Sequence, residues 1–168
     1  GGVADINDAG TICFRGITPS MRGVVVVPAG GTAQWYVRAG DATPHGGAYL
    51  DIWGPVLNNA DQVAFYSDVS GAQSGWFVGK PGAWRKAFAF FDLIDVGGCV
   101  GLAVSRNPMQ PLDDDGDLVL WANEYLSPTA ERDWLLVSRA DGTLVRVAGK
   151  GDSTALGGVI GAMDAWPS

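Results

Sequence analysis

The chain has 168 residues, 47% of them hydrophobic, a formal net charge of −7 and a pI near 4.4. That apolar content supplies a core and excludes a disordered chain, and the acidic balance argues against a nucleic-acid partner, whose binders concentrate Lys and Arg. No apolar run reaches the roughly eighteen residues that a membrane-spanning helix needs.

Good helix formers are scarce: Glu occurs only at Glu124 and Glu131, and Lys only at Lys80, Lys86 and Lys150. Short Val-, Phe- and Trp-rich runs between Gly, Pro and Asp clusters predict an all-β protein. The chain opens Gly1-Gly2 with no initiator Met and no signal-peptide pattern, as a processed protein or an excised piece would, so its terminus gives no localisation.

The first predicted element is a tight turn, Asn7-Asp8-Ala9-Gly10, feeding a strand at Thr11–Arg15. Asn and Asp satisfy local backbone groups there, and Gly tolerates a left-handed conformation. Strands follow at Gly23–Val27 and Thr32–Val37, joined by a hairpin turn at Pro28-Ala29-Gly30-Gly31. A polar glycine-rich loop from Arg38 to Gly47 leads to a short strand, Ala48–Trp53. The plan then repeats. Strands are predicted at Gln62–Ser67, Trp76–Val78, Arg85–Phe90 and Cys99–Val104, with a turn at Lys80-Pro81-Gly82-Ala83. A third set falls at Leu118–Asn123, Asp133–Ser138, Thr143–Val147 and Val159–Ala165, with an Asp141-Gly142 hairpin turn. The loop from Gly149 to Gly158 mirrors the one from Arg38 to Gly47.

The repeat is explicit in the turn. Ile6-Asn7-Asp8-Ala9-Gly10 returns as Leu57-Asn58-Asn59-Ala60-Asp61 and again as Leu112-Asp113-Asp114-Asp115-Gly116, starting at residues 6, 57 and 112. A period near fifty residues marks a repeat architecture. Counting from the motif gives a single repeat domain of three units, 1–56, 57–111 and 112–168, with four strands fitting in each. Four-stranded units of ~55 residues predict β-propeller blades, three per chain. The rivals are a β-solenoid, whose coils need only ~20–30 residues, and an open repeat fragment. Closed propellers have about four to eight blades, so three leave unpaired edges. A homodimer completing a six-bladed ring would remove them; the alternative is a piece of a longer array.

The copies resemble a bacterial tandem-repeat family with the signature Asn-x-x-Gly-x-x-Ala-Phe and a Gly-Asp-x-x-Pro-x-Gly-Gly loop in each repeat. Asn58, Ala64 and Phe65 match the first element, with Asp61 in place of its Gly. Gly40, Asp41, Pro44, Gly46 and Gly47 match the second, and Gly151, Asp152, Gly157 and Gly158 keep part of it. The second unit departs, with only Asp95 and Gly97-Gly98. The resemblance covers nearly the whole chain and implies an exported or surface-anchored bacterial protein. Its motifs are structural punctuation and imply no chemistry.

Chemistry-bearing constellations are few. Asp113, Asp115 and Asp117 form the densest acidic cluster and make a candidate calcium site, although the distal Glu of an EF-hand loop is missing and the cluster occupies the repeat's own turn. His45 is the one histidine, read as a solvated loop residue, and no Gly-x-Ser-x-Gly elbow accompanies it, so no catalytic residue is assigned. Cys13 and Cys99 sit in apolar strand patterns and read as buried free thiols rather than a bridge. Of seven tryptophans, Trp53, Trp121 and Trp166 recur at repeat positions and read as packing between units. Trp84, with Arg85, is the candidate exposed aromatic for a glycan or protein ligand. The sequence therefore predicts a non-enzymatic repeat scaffold, with a lectin-like carbohydrate binder and a piece of a hydrolase-type propeller as alternatives.

Overall fold

The computed structural model describes residues 4–90, 92, 102–104, 111–125 and 131–161. Among them lie twelve β-strands and no helix, so the all-β expectation holds. The strands form three four-stranded antiparallel sheets, each a meander in chain order. The first contains β1 (Ala4–Ile6), β2 (Ile12–Ile17), β3 (Arg22–Val27) and β4 (Gln34–Arg38). The second contains β5 (Tyr49–Leu57), β6 (Val63–Val69), β7 (Gly75–Lys80) and β8 (Ala83–Ala89). The third contains β9 (Leu102–Val104), β10 (Leu118–Tyr125), β11 (Glu131–Ser138) and β12 (Leu144–Gly149).

The sheets are phased one strand earlier than a count from the motif suggests. The strand expected at Ala48–Trp53 forms as β5, but it pairs forward onto β6, with Tyr49 opposite Val69 and Leu57 opposite Val63. The motif is therefore the hairpin turn between the first and second strands of a sheet. Leu112 and Leu118 bridge across the third copy in the same way. β1 escaped the sequence reading because three residues carry no period. Of the strand expected at Val159–Ala165, Val159 bridges Ser153, and residues 162–168 lie outside the described residues.

Period-two alternation assigns the core. In β6, Val63, Phe65 and Val69 face the first sheet and join Cys13, Val24, Val26 and Val37 in one apolar cluster. Ala64 and Tyr66 point the other way, toward Leu118, Leu120, Ala122, Trp134 and Leu136 of the third sheet. The second sheet is thus sandwiched, and β6 is buried at every position except half-buried Asp68. A strand covered on both faces reads as a continuous apolar run. Among the described residues each end sheet has only one covered face. The outer face of the first sheet leaves Ile6 62% and Ile12 37% exposed, and that of the third leaves Val147 55% exposed.

The glycine-rich loops recur in structure as in sequence. Gly40 donates to Tyr49 O and Tyr49 to Asp41 O; Gly151 donates to Ile160 O and Ile160 to Asp152 O. Thr43 Oγ1 donates to Gly46 O, and Thr154 Oγ1 to Gly157 O. The loop aspartate closes each loop by accepting from a backbone N–H three residues earlier: Asp41 from Arg38, Asp152 from Gly149. In the second sheet Asp92 does this, accepting from Ala89. Asp95, the residue assigned to that role from sequence, lies outside the described residues.

Candidate functional site

The three motif turns stack on one another along the molecule. Within each, the first residue's side-chain oxygen accepts the N–H four residues on: Asn7 from Thr11, Asn58 from Gln62 and Asp113 from Asp117, at 2.9, 2.7 and 2.8 Å. This local bond fixes the side chain and, in Asn7 and Asn58, leaves the amide nitrogen pointing at the neighbouring turn. The fourth position needs a left-handed backbone, supplied by Gly10, Asp61 and Gly116 at φ 80°, 56° and 90°. Asp61 is the only non-glycine with positive φ among the described residues, and a short polar side chain is tolerated there.

Between turns runs a directional ladder. Asn7 Nδ2 donates to Asn58 O at 3.1 Å, and Asn58 Nδ2 donates to Asp113 O at 2.6 Å. These bonds span 51 and 55 residues, the repeat spacing itself. A parallel rail joins the second positions, where Asp8 N donates to Asn59 Oδ1 and Asn59 N to Asp114 Oδ1. The Asn59 amide nitrogen lies 3.0 Å from Asp8 Oδ2 and 3.2 Å from Asp114 Oδ2, bridging the two carboxylates. A further rung runs from Asn7 Nδ2 to Asp61 Oδ1 at 2.9 Å. Asn7 and Asn58 are 8% and 3% exposed. A buried amide in this position must be hydrogen-bonded, and here it is.

Charged side chains stitch the same two interfaces. Arg15 of β2 reaches Asp51 of β5 at 2.6 Å and lies 3.9 Å over the Trp53 ring. Arg85 of β8 donates to Gly116 O at 2.6 Å and to Ser138 Oγ at 3.0 Å. Burial pulls its guanidinium pKa down, and Asp117 and Asp141 act against that.

Trp84 and Arg85 therefore stand elsewhere than expected. Trp84 is half-buried and meets Phe65 edge-on at 5.2 Å, while Arg85 is engaged between the second and third sheets. His45 is half-buried and stacked on Phe77 at 5.3 Å rather than fully solvated. Cys13 is a buried free thiol, and Cys99 lies outside the described residues. Asp113, Asp115 and Asp117 are not drawn together. Asp113 Oδ1 takes its own turn's N–H, Asp117 Oδ1 takes Ala140 N, and among the described residues no group of three acidic, His or Cys side chains is placed to hold a metal.

The outer face of the third sheet carries a groove of about 430 Å³. Val119, Val137 and Val145, in register across β10, β11 and β12, line it with Val147, Pro111 and Leu112. Asp113, Asp117 and Arg139 complete the lining. This groove and the ladder joining the sheets were not legible as a site from sequence. The repeat spacing was the signal for the ladder; its cross-sheet bonding needed coordinates.

Compared with family models, curated proteins and solved structures, the chain matches none.

Proposed function

We propose that the chain is a non-enzymatic repeat scaffold, three blades of a β-propeller whose terminal sheet faces pack against further blades of the same kind. The observation that carries this reading is the turn ladder, because it joins successive sheets through the same atoms at the repeat spacing. Two buried apolar interfaces already use this joint, and the outer faces of the end sheets present Ile12 and Val147 where a neighbour would lie. Large exposed apolar faces mark interaction sites. The six-bladed ring of two chains expected from sequence is the rival arrangement, and native mass distinguishes the two. An exported bacterial location belongs to the reading through the family resemblance alone.

The joint is tested by denaturant unfolding of Asn7→Ala and Asn58→Ala. Each removes the cross-sheet donor from a carbonyl that keeps only its own turn's N–H, and takes the side-chain acceptor from Thr11 N or Gln62 N, at a cost of about 1–3 kcal/mol. A loss under about 0.5 kcal/mol, the range of neutral surface changes, would remove the ladder as the feature that joins the sheets. A glycan array with Trp84→Ala as control addresses the lectin-like alternative: binding that disappears in the variant would favour it.

A further inference from the structure

The ladder ends at Asp113, and its chemistry says what the next turn must carry. Asn7 and Asn58 each donate an amide hydrogen to the carbonyl of the following first position; Asp113 occupies the same place with a carboxylate and has nothing to donate. Its Oδ1 accepts Asp117 N, and the residue is exposed. A following sheet seated as the third sits on the second would bury Asp113 as Asn58 is buried, at 3% exposure. That would set a carboxylate against a backbone carbonyl oxygen, and an unpaired buried charge is strongly unfavourable. At the second position Asn59 donates to both Asp8 and Asp114, so each carboxylate of this rail faces an amide and none faces another carboxylate.

Building on the scaffold reading, we propose that the outer face of the third sheet takes a repeat whose turn carries side-chain donors at its second and fourth positions, and not a second copy of this chain. The fourth position follows from an inverted rung. Asn7 donates across to Asp61 at the fourth position of the next turn. With Asp113 as acceptor, that rung runs backward, from an Asn or Lys at the fourth position of the following turn. A second copy would present Asp8 and Gly10 at those two places. Asp8 opposes Asp114 with like charge, and Gly10 offers no donor. At the other end the first turn is receptive, because among the described residues the Asn7 carbonyl accepts only Gly10 N from its own turn and has a lone pair left for a preceding Asn. The groove above Val119, Val137 and Val145 supplies the apolar contact, and the two aspartates select which repeat makes it.

Native mass decides the matter, measured by light scattering and sedimentation on three forms of the full chain at matched concentration and neutral pH. The wild type is expected to remain a monomer of 17.5 kDa. The double variant Asp113→Asn, Asp114→Asn gains the donors that Asn58 and Asn59 use, so its third sheet accepts the first sheet of another copy and its mass rises to twice the monomer's or more. The double variant Asp8→Asn, Gly10→Asn supplies the donors from the other side and is expected to associate as well; Asn tolerates the left-handed backbone of position 10. A wild-type dimer at these concentrations overturns the proposal, as does a folded monomer for both variants. Failure of the scaffold reading would register separately, as unfolding energies of Asn7→Ala and Asn58→Ala close to the wild type.

Discussion

At the scale of single residues, one position of the repeat does different work depending on its neighbour. Asn7, Asn58 and Asp113 share a backbone and a local hydrogen bond, yet two are buried donors and the third is an exposed acceptor. Sequence exposed the equivalence and hid the consequence, since Asx turns explain all three residues without any contact between sheets. Cys13 was legible as a buried thiol from its apolar strand. Its burial, with the nearby Asp5 charge as a smaller cause, pushes the pKa from 9.0 up to about 12. The folded chain keeps the proton that the unfolded chain gives up, so the contribution is fully present below pH 9 and is lost as pH rises toward 12. Unfolding free energy should therefore fall on that alkaline limb, by up to about 1.4 kcal/mol per pH unit for one group. The difference between the wild type and Cys13→Ala isolates it. Parallel pH profiles for the two proteins would mean that the thiol ionises normally.

At the scale of elements, strands were readable because alternation and turn residues agree, whereas pairing partners were not. Ala48–Trp53 has the pattern of a strand whichever sheet it joins; only the hydrogen bonds from β5 to β6 show that it opens a sheet rather than closing one. The loop aspartate of the second unit depends on geometry in the same way. Asp92 and Asp95 are equally good turn residues, and the choice depends on which carboxylate reaches Ala89 N. The Gly46-Gly47 pair separates two demands that sequence merges. Both have positive φ, at 101° and 76°. A Cβ on Gly46 meets nothing within 4 Å, while one on Gly47 would stand 1.9 Å from Ser70 O. Ser70 is held there by its own N–H to Ala48 O and by Ala48 N to its hydroxyl, so it cannot yield. Gly46→Ala should cost about 1 kcal/mol for the left-handed backbone, and Gly47→Ala about 3 kcal/mol or more from overpacking. Equal melting-temperature losses for the two variants would contradict this reading of the loop.

At the scale of the whole molecule, equivalent positions differ because, among the described residues, the first and third sheets have a neighbour on one face only. Phe14, Phe65 and Leu120 each stand seven residues after the first residue of their turn, Asn7, Asn58 and Asp113, on the face toward a preceding sheet. Phe65 and Leu120 have such a sheet and are 0% exposed; Phe14 has none among the described residues and is half-buried. Phe65 also packs against Tyr49, Phe77 and Trp84, with ring centroids at 5.4, 5.7 and 5.2 Å. Phe65→Ala should cost about 3–5 kcal/mol, the range for a well-packed core phenylalanine. Phe14→Ala should cost about half as much or less, in proportion to the apolar surface it removes from burial. Chemistry and strand position are matched in this pair, so the gap measures what a neighbouring sheet contributes. It also reports coverage. When the outer face of the first sheet is occupied, Phe14 gains the burial that Phe65 has, and the penalties converge. Unfolding of both variants in dilute solution, then in any preparation that has gained mass, follows this convergence. A Phe14→Ala penalty already equal to that of Phe65→Ala in the dilute monomer would show that the first sheet is covered by something within the chain itself, and the open-ended arrangement would fall with it.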